Sequence, residues 1–201
     1  MSKVLLVYPE SDFPIFASSS KAGVTRPLGI IPPLGILYIG RVLLEVGYEV
    51  EAVDFSSTSY DKATLRKFLQ GKDAVGITIT SFNRKNVYKL IKDIRKLSKD
   101  IKIVTGGPDI TLHKRVIEGS DLSIAGETEK TAPEIFDSLL NNGDFSKLHG
   151  AIYKKLSNNE TIYGKEPYVE SDLDSIKFPA LEGTTTSRDH GCNLQFILLS
   201  E

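Results

Sequence analysis

The sequence of 201 residues contains a single cysteine, Cys192. One thiol excludes an internal disulfide framework and fits a reducing cytoplasm, the compartment expected here. No apolar run approaches the about 20 residues that span a bilayer. The longest stretch, Leu34 to Val46, carries Arg41 and Glu45 and reads as an amphipathic helix. The chain enters a strand at Lys3, directly after Met1 and Ser2, so no signal peptide is expected. Neither sign of charge dominates: Lys and Arg number 25 against 26 Asp and Glu, a net charge of −1. That balance gives no electrostatic case for nucleic acid. The lysine-rich stretch from Lys85 to Lys99 is broken by Asp93 and reads as the solvated face of a helix.

What is present is a regular alternation. Apolar residues make up 40% of the chain, enough for a core. Lys3 to Tyr8 is a short apolar run of the kind buried in parallel sheets. A long loop follows to about Pro33, and Pro32-Pro33 opens a helix from Leu34 to Val46 that Gly47 closes. Tyr48 to Asp54 is a second strand, and Asp61 to Gln70 a short helix capped by Asp61 and stopped by Gly71. Strands at Ala74–Thr80, Ile101–Thr105 and Leu122–Ala125 alternate with helices at Asn86–Ser98, Thr111–Glu118 and Thr131–Asn141. Each parallel connection needs a crossover, so the pattern predicts an α/β, flavodoxin-like (Rossmann-like) doubly wound sheet of five parallel strands in the order 2-1-3-4-5. Residues 1–142 form this domain. Residues 143–201 supply a small β-hairpin, from Ala151–Leu156 and Thr161–Tyr163, and a polar linker beyond Gly164.

Three turns at the carboxyl ends of these strands mark the site. Open α/β sheets bind ligands at that edge. Thr78, Thr80 and Ser81 offer hydroxyls, Gly106-Gly107-Pro108 lets a ligand approach the backbone, and Gly126-Glu127 is the third turn on the same edge. Each turn also has a plain structural reading, as a strand residue, a tight turn or a helix start. A dinucleotide site is disfavoured, because Pro9-Glu10-Ser11-Asp12 follows the first strand where Gly-x-Gly-x-x-Gly belongs. No P-loop is present. The third strand ends in Thr80-Ser81, so the aspartate of a phosphorelay receiver is missing.

The ordered set of segments resembles the N-terminal cobalamin-binding domain of cobalamin-dependent radical S-adenosylmethionine enzymes, in the magnesium-protoporphyrin monomethyl ester cyclase-like subgroup. The resemblance runs from Lys3 to Cys192. It is carried by Pro32-Pro33-Leu34-Gly35, Val53-Asp54, Gly76-Ile77-Thr78-Ile79-Thr80-Ser81, Val104-Thr105-Gly106-Gly107-Pro108, Ala125-Gly126-Glu127-Thr128-Glu129 and Leu173-Asp174-Ser175-Ile176-Lys177-Phe178-Pro179. It implies a cobalamin over the strand edge, its nucleotide tail beside the sheet. Gly106 and Gly107 would let the tail pass, Thr78, Thr80 and Ser81 would bind it, and Gly126 and Glu127 would border it. Pro33, Leu34 and Pro108 complete the implied cofactor site.

Two departures shape the expectation. The loop after the first strand has no histidine, so cobalamin is expected without a histidine lower ligand. His113 follows Gly107 in the next helix, and His149 and His190 lie in the extension. The family's cysteine cluster is also missing. Ser187-Arg188-Asp189-His190-Gly191-Cys192 interrupts its first motif, and the positions four and seven beyond Cys192 are Phe196 and Leu199. One thiolate cannot hold an iron–sulfur cluster. The chain is therefore expected to be a corrinoid-binding module truncated before the radical domain, without catalysis of its own. Its partners would be a separate radical domain or a second copy through the hairpin around Ile152 and Tyr153, with neither nucleic acid nor membrane. Two other readings stay open. An interaction or sensory domain without ligand would have its cleft filled by Leu112, Phe82 or the loop around Phe13 and Phe16. An enzyme of another class would need a catalytic group, and Asp109 and Glu127 are the only acids placed at the cleft.

Overall fold

Short apolar strands, separated by helices with one greasy face each, assemble into a mostly parallel sheet. In the computed structural model, residues 1–11, 33–55, 60–155 and 157–179 are described in full, with the backbone of 184–187 and 193–196. The elements run β1 (Lys3–Tyr8), α1 (Leu34–Glu45), β2 (Glu49–Asp54), α2 (Lys62–Leu69), β3 (Ala74–Thr78), α3 (Arg84–Leu97), β4 (Lys102–Gly106), α4 (Pro108–His113), β5 (Leu122–Ile124), α5 (Ala132–Leu140), β6 (Ala151–Lys154) and β7 (Thr161–Tyr163). A separate hairpin joins β8 (Thr184–Ser187) to β9 (Asn193–Phe196). The large sheet has the order β2-β1-β3-β4-β5-β6-β7. Its first five strands are parallel in the expected 2-1-3-4-5 order, and the β6–β7 hairpin continues it antiparallel from β5.

Local signals explain most boundaries. The Asp61 carboxylate accepts the Thr64 N–H at the start of α2, satisfying one of the donors a helix leaves free. Gly47 and Gly71 end α1 and α2 with φ of 92° and 70°, a region that strains side chains. Helix α4 departs from expectation. The apolar spacing places it over Thr111–Glu118, but it starts at Pro108 and ends at His113. Proline pre-sets the first helical turn, and Lys114 leaves the helix in the left-handed region with φ 44°.

The core lies in two layers. Leu5, Val7, Val75, Ile77, Ile79 and Ile103 face the helices α2, α3 and α4, where Val87, Leu90, Ile91 and Ile94 of α3 pack against them. Each such side chain contributes about 1.5–3 kcal/mol on burial. Val4, Leu6, Val104, Leu122 and Ile124 face α1 and α5 on the opposite side. The central strand is lopsided. Because side chains alternate across a sheet, β3 gives Val75 and Ile77 to the three-helix face and only Ala74, Gly76 and Thr78 to the two-helix face. Helix α1 sits over β1 and β2, and α5 over β4. Among the described residues, β3 itself puts no large side chain on this face, and only the tips of Leu6 and Phe136 reach over Gly76 from either side.

Hairpin residue Ile152 is 2% exposed and joins the inner core, while Tyr153 stacks edge-on against Phe145 at 5.4 Å. These two residues therefore hold the hairpin to its own domain. Among the described residues, no helix is long and apolar enough to cross a membrane.

Candidate functional site

The gap over β3 is a cleft of about 690 Å³. Leu6, Gly76 and Val104 stand in one row across β1, β3 and β4, and Thr78 pairs with Gly106 in the next row toward the carboxyl edge. A methyl group at Gly76 would lie 2.8 Å from Leu6 Cδ2 and 3.2 Å from Phe136 Cζ. The bare glycine thus sets the depth of the slot. Ile36 and Ile39 of α1 form one wall, and Ile135 and Phe136 of α5 the other. At the mouth stand Thr78, Thr111 and Thr128, with the glycine turns between them.

Of the residues singled out in the sequence, Thr78, Gly106, Gly107, Pro108, Gly126 and Glu127 line this cleft. Pro33 and Leu34 precede the wall at Gly35 and Ile36 rather than lining it. Thr80 and Ser81 also fall outside the lining. Beyond Thr78 the chain leaves the ladder, and Asn83, wholly buried, accepts the Thr80 N–H at 2.8 Å and donates to the Thr78 carbonyl at 3.3 Å. That turn carries Ser81 to the exposed surface.

The glycines are needed for different reasons. Gly107 has φ 103°, and a Cβ there would come within 2.8 Å of the Ile79 carbonyl oxygen. Gly126 has φ 95°, and its Cβ would meet Pro167 Cβ at 2.8 Å and the Tyr168 carbonyl oxygen at 2.9 Å. Both are required by the protein's own packing. Gly106 and Gly35 differ: a Cβ at Gly106 meets nothing nearer than the Ile124 carbonyl oxygen at 3.7 Å, and one at Gly35 meets nothing within 4 Å. These two present bare backbone to open space.

A wall that the sequence does not announce comes from residues 165–177. Pro167, Tyr168 and Val169 line the cleft. The Glu127 N–H donates to the Tyr168 carbonyl at 3.1 Å, and the Glu127 carboxylate accepts the Glu170 N–H at 2.6 Å. Glu170 in turn accepts from Tyr168 Oη at 2.7 Å and pairs with Lys130 Nζ at 2.6 Å. Further along, Lys177 pairs with Glu45 of α1 at 2.9 Å. Glu127 is therefore a clasp for this strap. The hydrogen bond from Lys130, joined by those from Asp172 N–H and Tyr168, lowers the Glu170 carboxyl to about 2 from 4.5.

The sign of the linkage follows. A carboxyl whose folded pKa is depressed adds stability that is complete above its unfolded value and lost as pH falls through the folded one. The clasp should therefore weaken between about 4.5 and about 2. Thermal melts across this range should show a shallower acid limb for Glu170→Gln than for the parent, and parallel limbs would refute the assignment.

Asp109 is not at the cleft. It is 4% exposed on the three-helix side, held by Arg84 and by Arg115 Nη2, the latter at 2.6 Å. Burial pushes its carboxyl up, but hydrogen bonds from Arg84 and Arg115 outweigh this and hold it below the usual aspartate range. The acid joins α3 to α4 and has no free face for catalysis. His113 stands beside it, 3.7 Å from Oδ1, and His149 Nδ1 lies 2.8 Å from the Glu166 carbonyl oxygen. No histidine among the described residues lines the cleft. Among the same residues, no group of three or more His, Cys, Asp or Glu side chains is placed to hold a metal ion.

Of the candidates named for plugging the cleft, Leu112 is on its lining but turned to solvent, and Phe82 is off the lining. Leu112 and Phe82 are 77% and 49% exposed; Phe13, Phe16 and the stretch around Cys192 lie outside the described residues. Ile135, Phe136 and the strap residues Pro167 to Val169 were not singled out in the sequence, and Gly76 was quoted only as part of a segment, not as a site residue. Only Gly76 left a signal, as the smallest residue of a central strand.

Comparison with known proteins gives a consistent result. Over 188 residues the chain is 25% identical to an uncharacterized methyltransferase of Pyrococcus horikoshii, covering 90% of this chain and 38% of that protein. The radical S-adenosylmethionine methyltransferase TsrM from Kitasatospora setae, solved with cobalamin and a 4Fe–4S cluster bound, shares the fold with a TM-score of 0.65 at 20% identity, over 89% of this chain and 31% of that one. The cobalamin-dependent S-adenosylmethionine radical enzyme OxsB, solved with aqua-cobalamin, gives 0.62 at 17% identity, over 84% and 23% respectively. The chain thus spans well under half the length of each of these relatives. The family model for the B12 binding domain matches residues 20–136, which takes in both cleft walls and the strand ends between them, and the chain belongs to that family.

Proposed function

We propose that this chain holds a cobalamin in the cleft over β3 and presents it to a radical S-adenosylmethionine domain. The observation that carries the reading is the slot above Gly76, open at the strand edge and walled by α1 and α5, in a chain of the B12-binding family. A cobalamin combines a broad ring with a narrow nucleotide tail, so it needs a rim and a slot together. The residues fit both parts. Gly35 and Gly106 leave backbone bare at the mouth, the threonine hydroxyls at positions 78 and 128 stand there to meet polar tail groups, and the interior is apolar.

The group would supply its cobalt for carrying a methyl group or for radical ring chemistry. The protein's part is to bind and orient it and to keep water from the tail. No histidine among the described residues lines the cleft, so none of them would offer an imidazole to a bound corrinoid. The one cysteine of the sequence cannot by itself hold an iron–sulfur cluster, so cluster chemistry would be the part of the radical domain to which the corrinoid is presented.

The test is direct. Purified anaerobically and mixed with hydroxocobalamin, the protein should carry about one corrinoid per chain through gel filtration, with a visible spectrum of the base-off form. Protein emerging colourless, with no spectral change on mixing, overturns the proposal.

A further inference from the structure

We infer that the slot selects among corrinoids by the base at the end of the nucleotide tail, taking an apolar benzimidazole and rejecting a purine. The inference rests on the cobalamin reading above and gives it a narrower ligand class.

The row of Leu6, Gly76 and Val104 lies one step in from Thr78 and Gly106, and Ile39, Ile135 and Phe136 complete the lining of the slot around it. None of these side chains can donate or accept a hydrogen bond. The backbone groups of its floor are used in the parallel ladder that joins β1, β3 and β4. Polar groups lie only toward the mouth, and most of them already have partners. The Thr105 hydroxyl faces Ser123 Oγ at 2.8 Å on the other side of the sheet. Thr111 Oγ1 donates to the Gly107 carbonyl and accepts the Gly126 N–H at 2.9 Å. The Glu127 carboxylate holds the strap, and that of Glu129 accepts the Thr128 N–H at 2.9 Å.

An aromatic base inserted here meets aliphatic walls and the Phe136 ring. Dimethylbenzimidazole has an apolar edge with two methyl groups, which such a wall accommodates. Adenine has an exocyclic amine and additional ring nitrogens along the same edge. These give up water on entry and find no replacement, and a buried polar group without a partner is penalised far more than a satisfied one is rewarded.

The experiment compares three ligands on the intact chain by absorbance titration and calorimetry: cobalamin, the adeninyl cobamide, and cobinamide, which has no base. Cobalamin should bind at least tenfold tighter than the adeninyl form, and both tighter than cobinamide. The near-isosteric Val104→Thr variant, shown to be folded by circular dichroism, should narrow the ratio between the two bases by offering a hydroxyl within the slot. Equal affinity for the two bases, or an unchanged ratio in the folded variant, overturns the selectivity while leaving cobalamin binding standing. If cobinamide matches cobalamin, the base is not in the slot and the inference fails in the same way. Failure of all three to bind defeats the broader reading, and this one with it. Should the variant not fold, the wild-type comparison decides alone.

Discussion

Gly76→Val should abolish cobalamin retention, weakening binding at least 100-fold, while the chain still folds. The valine branches enter the space above β3 in which the proposed site places the tail. They start from a Cβ position already 2.8 Å from Leu6 Cδ2 and 3.2 Å from Phe136 Cζ. Overpacking of this kind costs about 1–3 kcal/mol. A β-branched residue suits a strand, and the atoms it meets first are the ends of the Leu6 and Phe136 side chains, which can shift, rather than backbone. Co-elution of protein and corrinoid, with a thermal melt alongside, separates the two effects. A well-folded variant that binds cobalamin as tightly as the parent would show that the tail lies elsewhere.

The second large effect concerns stability. Gly150 has φ 68°, and a methyl group there would sit 1.9 Å from the Ala125 carbonyl oxygen. That neighbour is backbone and cannot swing aside. The Ala125 N–H meanwhile donates to the Gly150 carbonyl at 2.8 Å, and the Gly150 N–H to that of Lys165 at 2.9 Å. Gly150→Ala must therefore push β6 away from β5 and loosen the start of the strap. Left-handed alanine costs about 1–2 kcal/mol, and each sacrificed backbone hydrogen bond adds about 1 kcal/mol. Urea denaturation should show a total loss of about 3–5 kcal/mol, at the upper end of single substitutions. A loss below about 1 kcal/mol would mean that the junction yields far more easily than its geometry implies.

The order of the first five strands was readable because each apolar run is followed by a helix with a matching face, and the crossover rule leaves few alternatives. The position of the site was readable for the same reason, since it lies at the edge where the crossovers diverge. The chemistry of its individual residues was less so. Gly107 and Gly126 look like ligand-facing glycines, yet they are set by contacts with Ile79 and Tyr168, from distant parts of the chain. Glu127 and Asp109 look equivalent in sequence, each beginning the turn after a strand. One clasps the strap and the other is enclosed by Arg84 and Arg115. Such differences come from long-range packing and leave no trace in local spacing. The alternation of Ala74, Gly76 and Thr78 against Val75, Ile77 and Ile79 was visible throughout. Its meaning depends on knowing that, among the described residues, α1 and α5 cover that face and leave a gap between them.

The floor and both helical sides of the slot are complete once Leu140 has left the ribosome, whereas Pro167, Tyr168 and Val169 arrive afterwards. The wall they form is thus the last of the three to be synthesised, after the floor and both helices.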